Sequence, residues 1–565
     1  MMNYYIYGAG KNLKMVLDQV TQYICIDGIL DNDKSKINTE IESKRVYSIE
    51  KFFSEIYDNH TVIIISVTNP KAQKEIEVDL IKRGIKKGEN YVMASEFCSF
   101  GGSQTPGSVS GVIRTPEGYE ARKSVDPNSY IVFSKRNRIF RVVKDQVADK
   151  MRRIYQKCKK NDLFDQWIIK TWIADNEQEF GVNLVLEHEY IPIISFCFEW
   201  APKMYEDYVI YFLDLIGKLT NAGLCLVDAH GLNATIYKGS FSFFDFGALD
   251  EGIITGMRLQ EVLNTLVLPL ILIKVGQTSR AYLYLEDHSI LLNLRDVVGY
   301  LSGTENDHLK KIYEKTIKVN TSEDVEDILA EIKKYIINFR RNGAKGKWED
   351  YQDNEWMITN DKIKWTTKMQ NAISLIEYVK PHTIIDIAGN QGWYGSYFRQ
   401  YLDSSIIVDS DINALDKLWT RIKSEKINNV IPVKMSICAP SLGRHYDGFI
   451  DGKAIKPIRK CGCERYRSEF AIALSIVHHL AFREYLSFDE IISLLSEYTT
   501  KYLLIEFVDK EDKFIEDFIK VGYEWYTKDN FERSLKQQFN ILQQKESSPK
   551  ETRTMYLCEK YDRNI

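Results

Sequence analysis

The 565-residue sequence lacks an excess of charge of either sign, since 75 lysines and arginines face 79 aspartates and glutamates. Proteins that hold nucleic acid over a large surface usually carry positive charge, so we expect no nucleic-acid partner. A long apolar run is also missing. The longest one, Val262 to Ile273, is interrupted by Asn264, Thr265 and Pro269 and is shorter than the ~20 residues of a membrane span. We predict a buried helix there and no transmembrane segment, with peripheral membrane association left open.

The sequence has few closely spaced cysteines, and we predict no secretory leader. The nine cysteines are scattered, and only Cys461 and Cys463 stand close together, without a second pair at zinc-finger spacing. The first residues, MMNYYIYGAG, contain no basic stretch followed by an apolar one. We therefore predict a cytoplasmic protein with reduced thiols, and its oligomeric state stays open.

The composition is that of a folded, multidomain protein. Hydrophobic residues make up 44% and charged residues 27% of the chain, which excludes a mainly disordered one. At roughly 150 residues per domain, this length predicts three or four domains. We predict domains at 1–98, 130–345 and 346–565, with a glycine- and proline-rich linker at 99–129.

The first block has the pattern of a nucleotide-binding half-unit. A strand, Tyr4 to Tyr7, stops at Gly8 and Gly10, and a helical pattern and a second strand that ends at Asp31 follow. The glycines would let backbone N–H groups approach a phosphate, and Asp31 would accept hydrogen bonds from a ribose. Since Leu13 stands in place of the third glycine, a Rossmann-like module with only structural glycines is an equal alternative.

The middle block carries two acidic motifs after an amphipathic helix that spans Tyr205 to Leu219. Asp228 and Asn233 stand five residues apart, and Asp245 opens a DFG sequence after a predicted hairpin turn at Lys238-Gly239. This spacing is typical of the catalytic loop and metal-binding segment of protein kinases. Asp228 would orient an acceptor hydroxyl, while Asn233 and Asp245 would hold Mg²⁺ on the phosphates of ATP.

The kinase pattern is incomplete in this block. Leu226 and Val227 replace the histidine and arginine that precede the aspartate, and no glycine-rich loop is visible. Lys144 is the candidate for binding the phosphates, with Arg141 as an alternative, and Ile193 to Trp200 is predicted to be a strand leading to the hinge. A pseudokinase that binds only a nucleotide or a partner therefore remains an alternative.

The third block begins with a strand and a tight turn of the kind that wraps the methionine part of S-adenosylmethionine. The turn follows the strand Thr383 to Ala388, and two of its glycines are replaced by Ala388 and Asn390. A second strand ends at Asp409, 23 residues after Asp386, near the ~20 expected for the acid that binds the ribose hydroxyls. The predicted cofactor-binding residues of this block are Asp386, Ala388, Gly389, Asn390, Gly392, Asp409, Ser436 and Ser475.

A third strand is predicted from Pro432 to Ile437, and candidate catalytic residues follow the fourth and fifth predicted strands. His478 and His479 stand at the end of the strand Phe470 to Val477, where acceptor-facing residues belong in a doubly wound sheet. An imidazole is suited to act as general base near neutral pH. Glu506, on the fifth strand Tyr502 to Val508, is the second candidate for the acceptor site.

The middle and third blocks together resemble the NoeA-like nodulation methyltransferases and their bacterial relatives. The stretches that carry the resemblance are IPIISFCFEWAPKMYEDYV, LCLVDAHGLNATI, IPVKMSICAPSLG, ERYRSEFAIALSIVHHLAF and LLIEFVDKEDKF. The resemblance implies a class I methyltransferase fused to a kinase-like domain and acting on a carbohydrate or glycan. The first block resembles small Rossmann-like domains attached to bacterial sugar-modifying enzymes.

The predicted fold class is therefore α/β and multidomain: a Rossmann-like domain, a protein-kinase-like α+β domain, and a class I methyltransferase domain with a doubly wound sheet. The predicted function is methylation of a glycan from S-adenosylmethionine, with a kinase-like domain that binds ATP and Mg²⁺ or substrate. Two alternatives stay open. One is a bifunctional enzyme that phosphorylates a glycan terminus and methylates the phosphate, and the other is a non-catalytic nucleotide-binding scaffold.

Overall fold

The structure is a computed structural model that describes most of the chain. The described residues are 3–10, 13, 16–17, 26–42, 44–58, 61–67, 69–85, 90–93, 120–123, 129–175, 180–286, 292–339, 348–442, 449–450, 453–454, 460–515, 522–549 and 551–561.

The chain divides into two compact units, and each unit uses several stretches of sequence. The first unit comprises Met1–Met151, Trp172–Glu187 and Gly448–Lys456. The second comprises Arg152–Thr171, His188–Asp447 and Pro457–Ile565. The boundaries expected from the sequence, at 98, 129 and 345, stay predictions.

The first sheet of the first unit has six strands and is mostly parallel. Its elements are β1 (Asn3–Tyr7), β2 (Gly28–Leu30), β3 (Glu40–Ile41), β4 (Lys44–Tyr47), α1 (Ile49–Glu55), β5 (Thr61–Ile65), α2 (Pro70–Lys82) and β6 (Tyr91–Met93). The strand order is β3-β4-β2-β1-β5-β6, so the chain crosses over between β4 and β5, as in a Rossmann half-sheet. Every residue of β5 is buried, as is typical of a parallel strand covered on both faces.

A second, five-stranded sheet follows. Its elements are β7 (Glu120–Lys123), β8 (Ser129–Lys135), β9 (Arg138–Val143), α3 (Ala148–Lys160), β10 (Thr171–Ile173) and β11 (Val185–His188). The strand order is β10-β11-β9-β8-β7, with β8 antiparallel to both of its neighbours, β7 and β9. Strand β7 lies inside the range predicted as a linker, whose residues 99–119 and 124–128 lie outside the described part. A short hairpin, Phe449–Ile450 with Lys453–Ala454, also belongs to this unit.

The second unit begins with a mainly helical region. Its elements are α4 (Pro202–Asn221), β12 (Leu224–Leu226), β13 (Ala234–Tyr237), β14 (Ser240–Phe243), β15 (Leu249–Glu251), α5 (Gly256–Val262), α6 (Leu268–Lys274), α7 (Thr278–Glu286), α8 (Leu294–Val298), α9 (Gly303–Thr316) and α10 (Ser322–Asn338). Helix α4 buries one apolar face, as its sequence spacing predicts. Strands β13 and β14 form the predicted hairpin, and Lys238 and Gly239 both adopt the left-handed backbone that this tight turn requires.

The sequence predicted a strand in one apolar segment of this region and a buried helix in another. The strand prediction is wrong. Ile193 to Trp200 is not a strand: Cys197–Glu199 forms a short 3₁₀ helix, and the strand in this part of the chain is β11. The predicted buried helix is present, because Gly256–Lys274 is one continuous helix with a π turn at Leu263–Val267. Its length and composition would allow it to cross a membrane, but most of it is buried within the fold, as in a core helix.

A seven-stranded sheet forms the rest of the second unit. Its elements are α11 (Asp353–Met357), α12 (Thr367–Val379), β16 (Thr383–Ile387), α13 (Trp393–Ser396), β17 (Ser404–Asp409), α14 (Ile412–Glu425), β18 (Val430–Lys434), α15 (Gly462–Arg465), β19 (Ser468–Ala473), α16 (Val477–Phe482), α17 (Phe488–Ser496), β20 (Thr499–Val508), α18 (Lys528–Leu535), β21 (Phe539–Glu546) and β22 (Arg553–Lys560). The five strands predicted from the sequence are all present.

The strand order of this sheet is β18-β17-β16-β19-β20-β22-β21. The first five strands are parallel to their neighbours, and β22 is antiparallel to both β20 and β21. This is the doubly wound sheet with a reversed last strand that class I methyltransferases have. The strand order reverses between β16 and β19, and in such sheets a ligand lies at the carboxyl ends of those strands.

Buried ionic contacts join the helical region of the second unit to this sheet. Arg465 donates two hydrogen bonds to the carboxylate of Glu199, one of them 3.0 Å long, and both side chains are almost fully buried. Tyr466 donates to the same carboxylate at 2.6 Å, and Ser441 also donates to it. Farther along, Asp207 accepts from the Trp419 indole at 2.8 Å. The helical region and the seven-stranded sheet of the second unit are therefore joined by a buried ion pair and its hydrogen bonds.

Candidate active site

The turn after β16 adopts the tight backbone that the degraded glycine motif predicts. Ala388, Asn390 and Gly392 all have positive φ angles, of 54°, 54° and 72°. Ala388 and Asn390 therefore keep the left-handed conformation that glycine favours in this motif. A Cβ atom on Gly389 would lie 2.7 Å from the carboxyl carbon of Asp386, so this position admits no side chain. Gly392 caps the start of α13.

Two buried carboxylates hold this turn in place. Asp386 accepts a hydrogen bond from the Gly395 amide at 2.9 Å. Burial raises the pKa of Asp386 to about 7, and the nearby Asp409 adds to the shift. The carboxylate of Asp409 accepts from the backbone amide of Asn390 at 2.7 Å. Burial raises the pKa of Asp409 as well. The end of β17 is thereby tied to the turn after β16.

A cavity of about 500 Å³ opens at the carboxyl ends of β16, β17 and β19. It is the place where a doubly wound sheet holds its ligand. Nine residues predicted from the sequence line it: Asp386, Ala388, Gly389, Asn390, Asp409, Ser436, Ser475, His478 and His479.

The residues around this cavity fit S-adenosylmethionine. The small residues of the turn leave room for a ligand to approach the backbone, and Asp409 stands where an acid would accept from ribose hydroxyls. The side-chain oxygen of Asn390 is buried and has no hydrogen-bond partner among the described residues, while its amide nitrogen donates to the Trp348 carbonyl at 2.8 Å. A buried acceptor without a donor is costly, so a ligand with an ammonium group would complement it.

The two predicted histidines lie in the first turn of α16, not at the end of a strand, because β19 already stops at Ala473. Their ring centroids are 4.2 Å apart, and His478 is buried. Burial lowers the pKa of His478 to about 3, and the charge of His479 adds to this. The Nδ1 atom of His478 has no hydrogen-bond partner in the described part of the chain. His478 is thus a neutral imidazole beside the cavity.

Glu506, the other predicted acceptor-site residue, lies behind the cavity and is not part of its lining. Its carboxylate accepts from the Lys368 ammonium at 2.9 Å, and from the amide and hydroxyl of Ser475 at 2.8 and 2.9 Å. Ser547 also donates to it. Burial alone would raise the pKa of Glu506, but Lys368 and these donors hold it below its usual value. Glu506 therefore positions Lys368 and Ser475.

Several cavity residues were not found from the sequence. Lys368 lies near the start of α12 and lines the cavity, yet its partner Glu506 is 138 residues away in the chain. Trp348 and Tyr351 come from the polar stretch before α11 that was predicted only as a connection. The density of aromatic residues in that stretch, WEDYQDNEW, is the signal that could have found them.

The kinase-like residues of the second unit form a local cluster. The Asn233 side chain donates to the Asp228 carbonyl at 3.4 Å, and Asp245 accepts from the Gly247 amide at 3.2 Å. His230, which the sequence did not single out, lies 3.2 Å from the Asp228 carboxylate. Burial would raise the pKa of Asp228, but His230 holds it below its usual value. Conversely, burial lowers the pKa of His230, and Asp228 more than offsets this.

No group of three or more His, Cys, Asp or Glu side chains placed to hold a metal ion occurs in the described part of the chain. Asn233 and Asp245 stay the predicted Mg²⁺ ligands. Lys144, the predicted phosphate-binding residue, belongs to the first unit, directly after β9.

The glycine turn of the first unit is built around Asp31. Its carboxylate accepts from the Ala9 amide at 2.6 Å and from the Asp33 amide at 2.8 Å. Gly8 has a φ of 115° and lies so close to Val67 that a Cβ atom would clash, whereas a Cβ on Gly10 would meet open space. Gly8 therefore has a structural reason to be glycine, and nucleotide binding by Gly8, Gly10 and Asp31 stays a prediction.

Comparisons with known proteins found a curated protein and solved structures that are similar to this chain. No protein-family model matches the chain. The nodulation protein NoeA of Rhizobium meliloti (strain 1021) is 21% identical over 492 residues, which cover 80% of this chain and 96% of NoeA. The N-methyltransferase NodS of Bradyrhizobium japonicum WM9 aligns with 34% of the chain and 96% of its own, at 6% identity and a TM-score of 0.24. The bifunctional kinase-methyltransferase WbdD aligns with 33% of this chain and 38% of its own chain, at 15% identity and a TM-score of 0.23.

The assignment as a methyltransferase depends on the strand order of the seven-stranded sheet and on the cavity at its strand ends. This strand order and a cavity at this position are those of a methyltransferase. The predictions of a methyltransferase enzyme and of S-adenosylmethionine as its cofactor are confirmed. The match to NoeA supports the resemblance stated above, while membership of that family stays a prediction.

Proposed function

We propose that this protein transfers a methyl group from S-adenosylmethionine to a hydroxyl of a carbohydrate or glycan, in the cytoplasm. The observation that supports this most directly is the cavity at the strand ends, where the turn after β16 and the histidine pair His478 and His479 line the same space. A hydroxyl acceptor must lose a proton during the transfer, and a phosphate oxygen does not.

The residues of the cavity divide into two groups with different tasks. Asp409 would bind the ribose hydroxyls, and Asn390 would accept from the ammonium group of the cofactor, which supplies an electrophilic methyl group on a sulfonium sulfur. His478 and His479 stand beside the acceptor side, where one of them would accept the hydroxyl proton. Lys368, held by Glu506, would fix Ser475 at the cavity wall.

Methyl transfer from isotope-labelled S-adenosylmethionine to extracted bacterial polysaccharides tests this proposal. We expect His478→Ala or His479→Ala to lower the rate by about 10²–10⁴, the usual contribution of a general base. His382→Ala is the matched control, because His382 is exposed and lies outside the cavity lining. A full-length protein that binds no S-adenosylmethionine would refute the proposal.

A bifunctional kinase and methyltransferase is the second candidate. Within the second unit, the contact from the Asn233 side chain to the Asp228 carbonyl supports a kinase-like catalytic loop. In this scheme Asn233 and Asp245 would hold Mg²⁺ on ATP and Asp228 would orient the acceptor. The missing histidine and arginine before Asp228 favour instead a domain that only binds nucleotide or substrate.

The Asp228→Asn variant separates the two schemes. If methylation must follow phosphorylation, the variant loses both products on an unphosphorylated glycan. If the methyl group goes directly onto a sugar hydroxyl, methylation continues at the wild-type rate. Mass spectrometry of the product therefore decides between them, and S-adenosylmethionine affinity serves as the control for folding.

A further inference from the structure

Three exposed aromatic side chains gather at the mouth of the methyltransferase cavity. Trp348, Tyr351 and Phe514 all line it, yet they are 40%, 50% and 62% exposed. Clustered exposed apolar side chains on a soluble protein mark a binding surface more often than chance. We call these three side chains the aromatic rim.

The aromatic rim is close to the candidate catalytic residues. The ring centroids of Trp348 and Tyr351 lie 6.0 Å apart in an edge-on arrangement, and that of Trp348 lies 6.1 Å from His479. Phe514 lies with its centroid 5.4 Å from the Arg553 guanidinium, which also lines the cavity. A molecule that contacts the rim would therefore extend toward the histidine pair.

Hydrogen bonds fix the rim before any ligand arrives. The Trp348 amide donates to Asp411 at 3.0 Å, and the Trp348 carbonyl accepts from Asn390. The Phe514 amide donates to Asp512 at 3.0 Å, and Asp512 also pairs with Arg553 at 2.7 Å. These bonds hold the backbone of Trp348 and Phe514, and a preorganised backbone loses little conformational entropy on binding, which favours affinity.

The chemistry around the rim is mixed. Arg483, Glu484 and Arg553 also line the cavity, so aromatic faces alternate with groups of both charges that can donate and accept hydrogen bonds. A purely apolar ligand would use the aromatic faces but none of these donors and acceptors, and a polyanion would meet the carboxylate of Glu484. A pyranose ring fits the aromatic faces and the charged groups alike, because it has an apolar C–H face and hydroxyl groups around its edge.

We propose that the aromatic rim is the acceptor subsite, where Tyr351 and Phe514 stack on the pyranose rings of a glycan whose hydroxyl enters the cavity. This rests on the proposed function and names where its substrate binds. The aromatic rim thus determines specificity for a sugar, whereas the turn after β16 determines specificity for the cofactor.

Titration calorimetry of the full-length protein, saturated with S-adenosylhomocysteine, tests this with neutral tetrasaccharides of glucose, mannose, galactose, rhamnose and N-acetylglucosamine. We expect at least one to bind, with Tyr351→Ala and Phe514→Ala each weakening it about tenfold. Tyr351→Phe should retain the affinity, since it keeps the ring. Tyr401→Ala is the matched control, because Tyr401 is 80% exposed and lies away from the cavity.

The outcomes separate the subsite from the function. If both alanine variants bind the tetrasaccharide as wild type does, or if no tetrasaccharide binds while S-adenosylmethionine does, the subsite is refuted and the methyltransferase stands. If the wild type binds no S-adenosylmethionine, the proposed function itself fails. Unchanged cofactor affinity in each variant shows that it has folded.

Discussion

Replacing Lys368 by methionine should destabilise the centre of the methyltransferase sheet. Lys368 is almost fully buried and donates to Glu506 at 2.9 Å and to Ser475 at 2.7 Å. Glu506 lies on β20 with no exposed surface. Lys368→Met leaves this carboxylate in the interior without its cation, which costs about 3–5 kcal/mol at pH 8.

The loss should depend on pH in a defined direction. In the wild type, the pKa of Glu506 is held below its usual value, so its stabilisation is present at neutral pH and is lost only as the pH falls through that lowered pKa. In Lys368→Met, burial would raise the pKa of Glu506 instead. The variant then loses stability as the pH rises, and its deficit relative to the wild type is larger at pH 8 than at pH 5.

Hydrogen exchange of the peptides that cover Thr499–Val508 measures the free energy of opening at this strand. The double variant Lys368→Met/Glu506→Gln should recover most of the loss, since it buries no unpaired charge. Lys238→Met is the matched control: it removes an exposed partner of Glu189, for which at most ~1 kcal/mol is expected. A Lys368→Met deficit that is absent at pH 8, or equal at pH 5 and pH 8, would refute the reasoning.

Three further predictions concern single residues. Asp409→Ala should weaken S-adenosylmethionine by about 1.5–3 kcal/mol in calorimetry, because a charge-assisted hydrogen bond is lost; unchanged affinity would remove Asp409 from the site. The free energy of unfolding of His478→Gln should rise relative to that of the wild type by about 2 kcal/mol as the pH falls from 6.5 to 4.5, because the buried imidazole of the wild type resists protonation. Denaturant titrations measure this, and parallel curves of unfolding free energy against pH for the two proteins would contradict it. Asp245→Asn should weaken Mg²⁺-dependent ATP binding and leave S-adenosylmethionine binding unchanged, and equal loss of both would indicate misfolding.

The order and type of the methyltransferase strands could be predicted because each is an apolar run that ends at a polar functional residue. Asp386 and Asp409 were placed correctly for this reason, since strand ends in a parallel sheet meet at one edge. The histidines were placed less well. The apolar pattern continues from β19 into α16, and periodicity alone does not show where a short strand gives way to a helix.

Other features depend on partners that are distant in the sequence. The segment from Ile193 to Trp200 has the pattern of a strand, but Glu199 accepts from the Phe196 amide at 3.0 Å and is paired with Arg465, and these contacts turn the chain into a 3₁₀ helix. No local sequence pattern predicts the pairing of Glu199 with Arg465, because the two residues are separated by 266 positions. The same holds for Lys368 and Glu506.

The buried pairing of Glu199 with Arg465 has a consequence for how the protein can be cut into fragments. A fragment that starts after residue 345 keeps Arg465 but loses its carboxylate partner, and Trp419 loses Asp207. The cut also removes Phe196 and the Ile194 carbonyl, which cover the guanidinium and accept a hydrogen bond from it, so the fragment exposes a surface that is buried in the intact chain. A fragment meant for crystallisation or for assays of the methyltransferase sheet should therefore begin before Glu199.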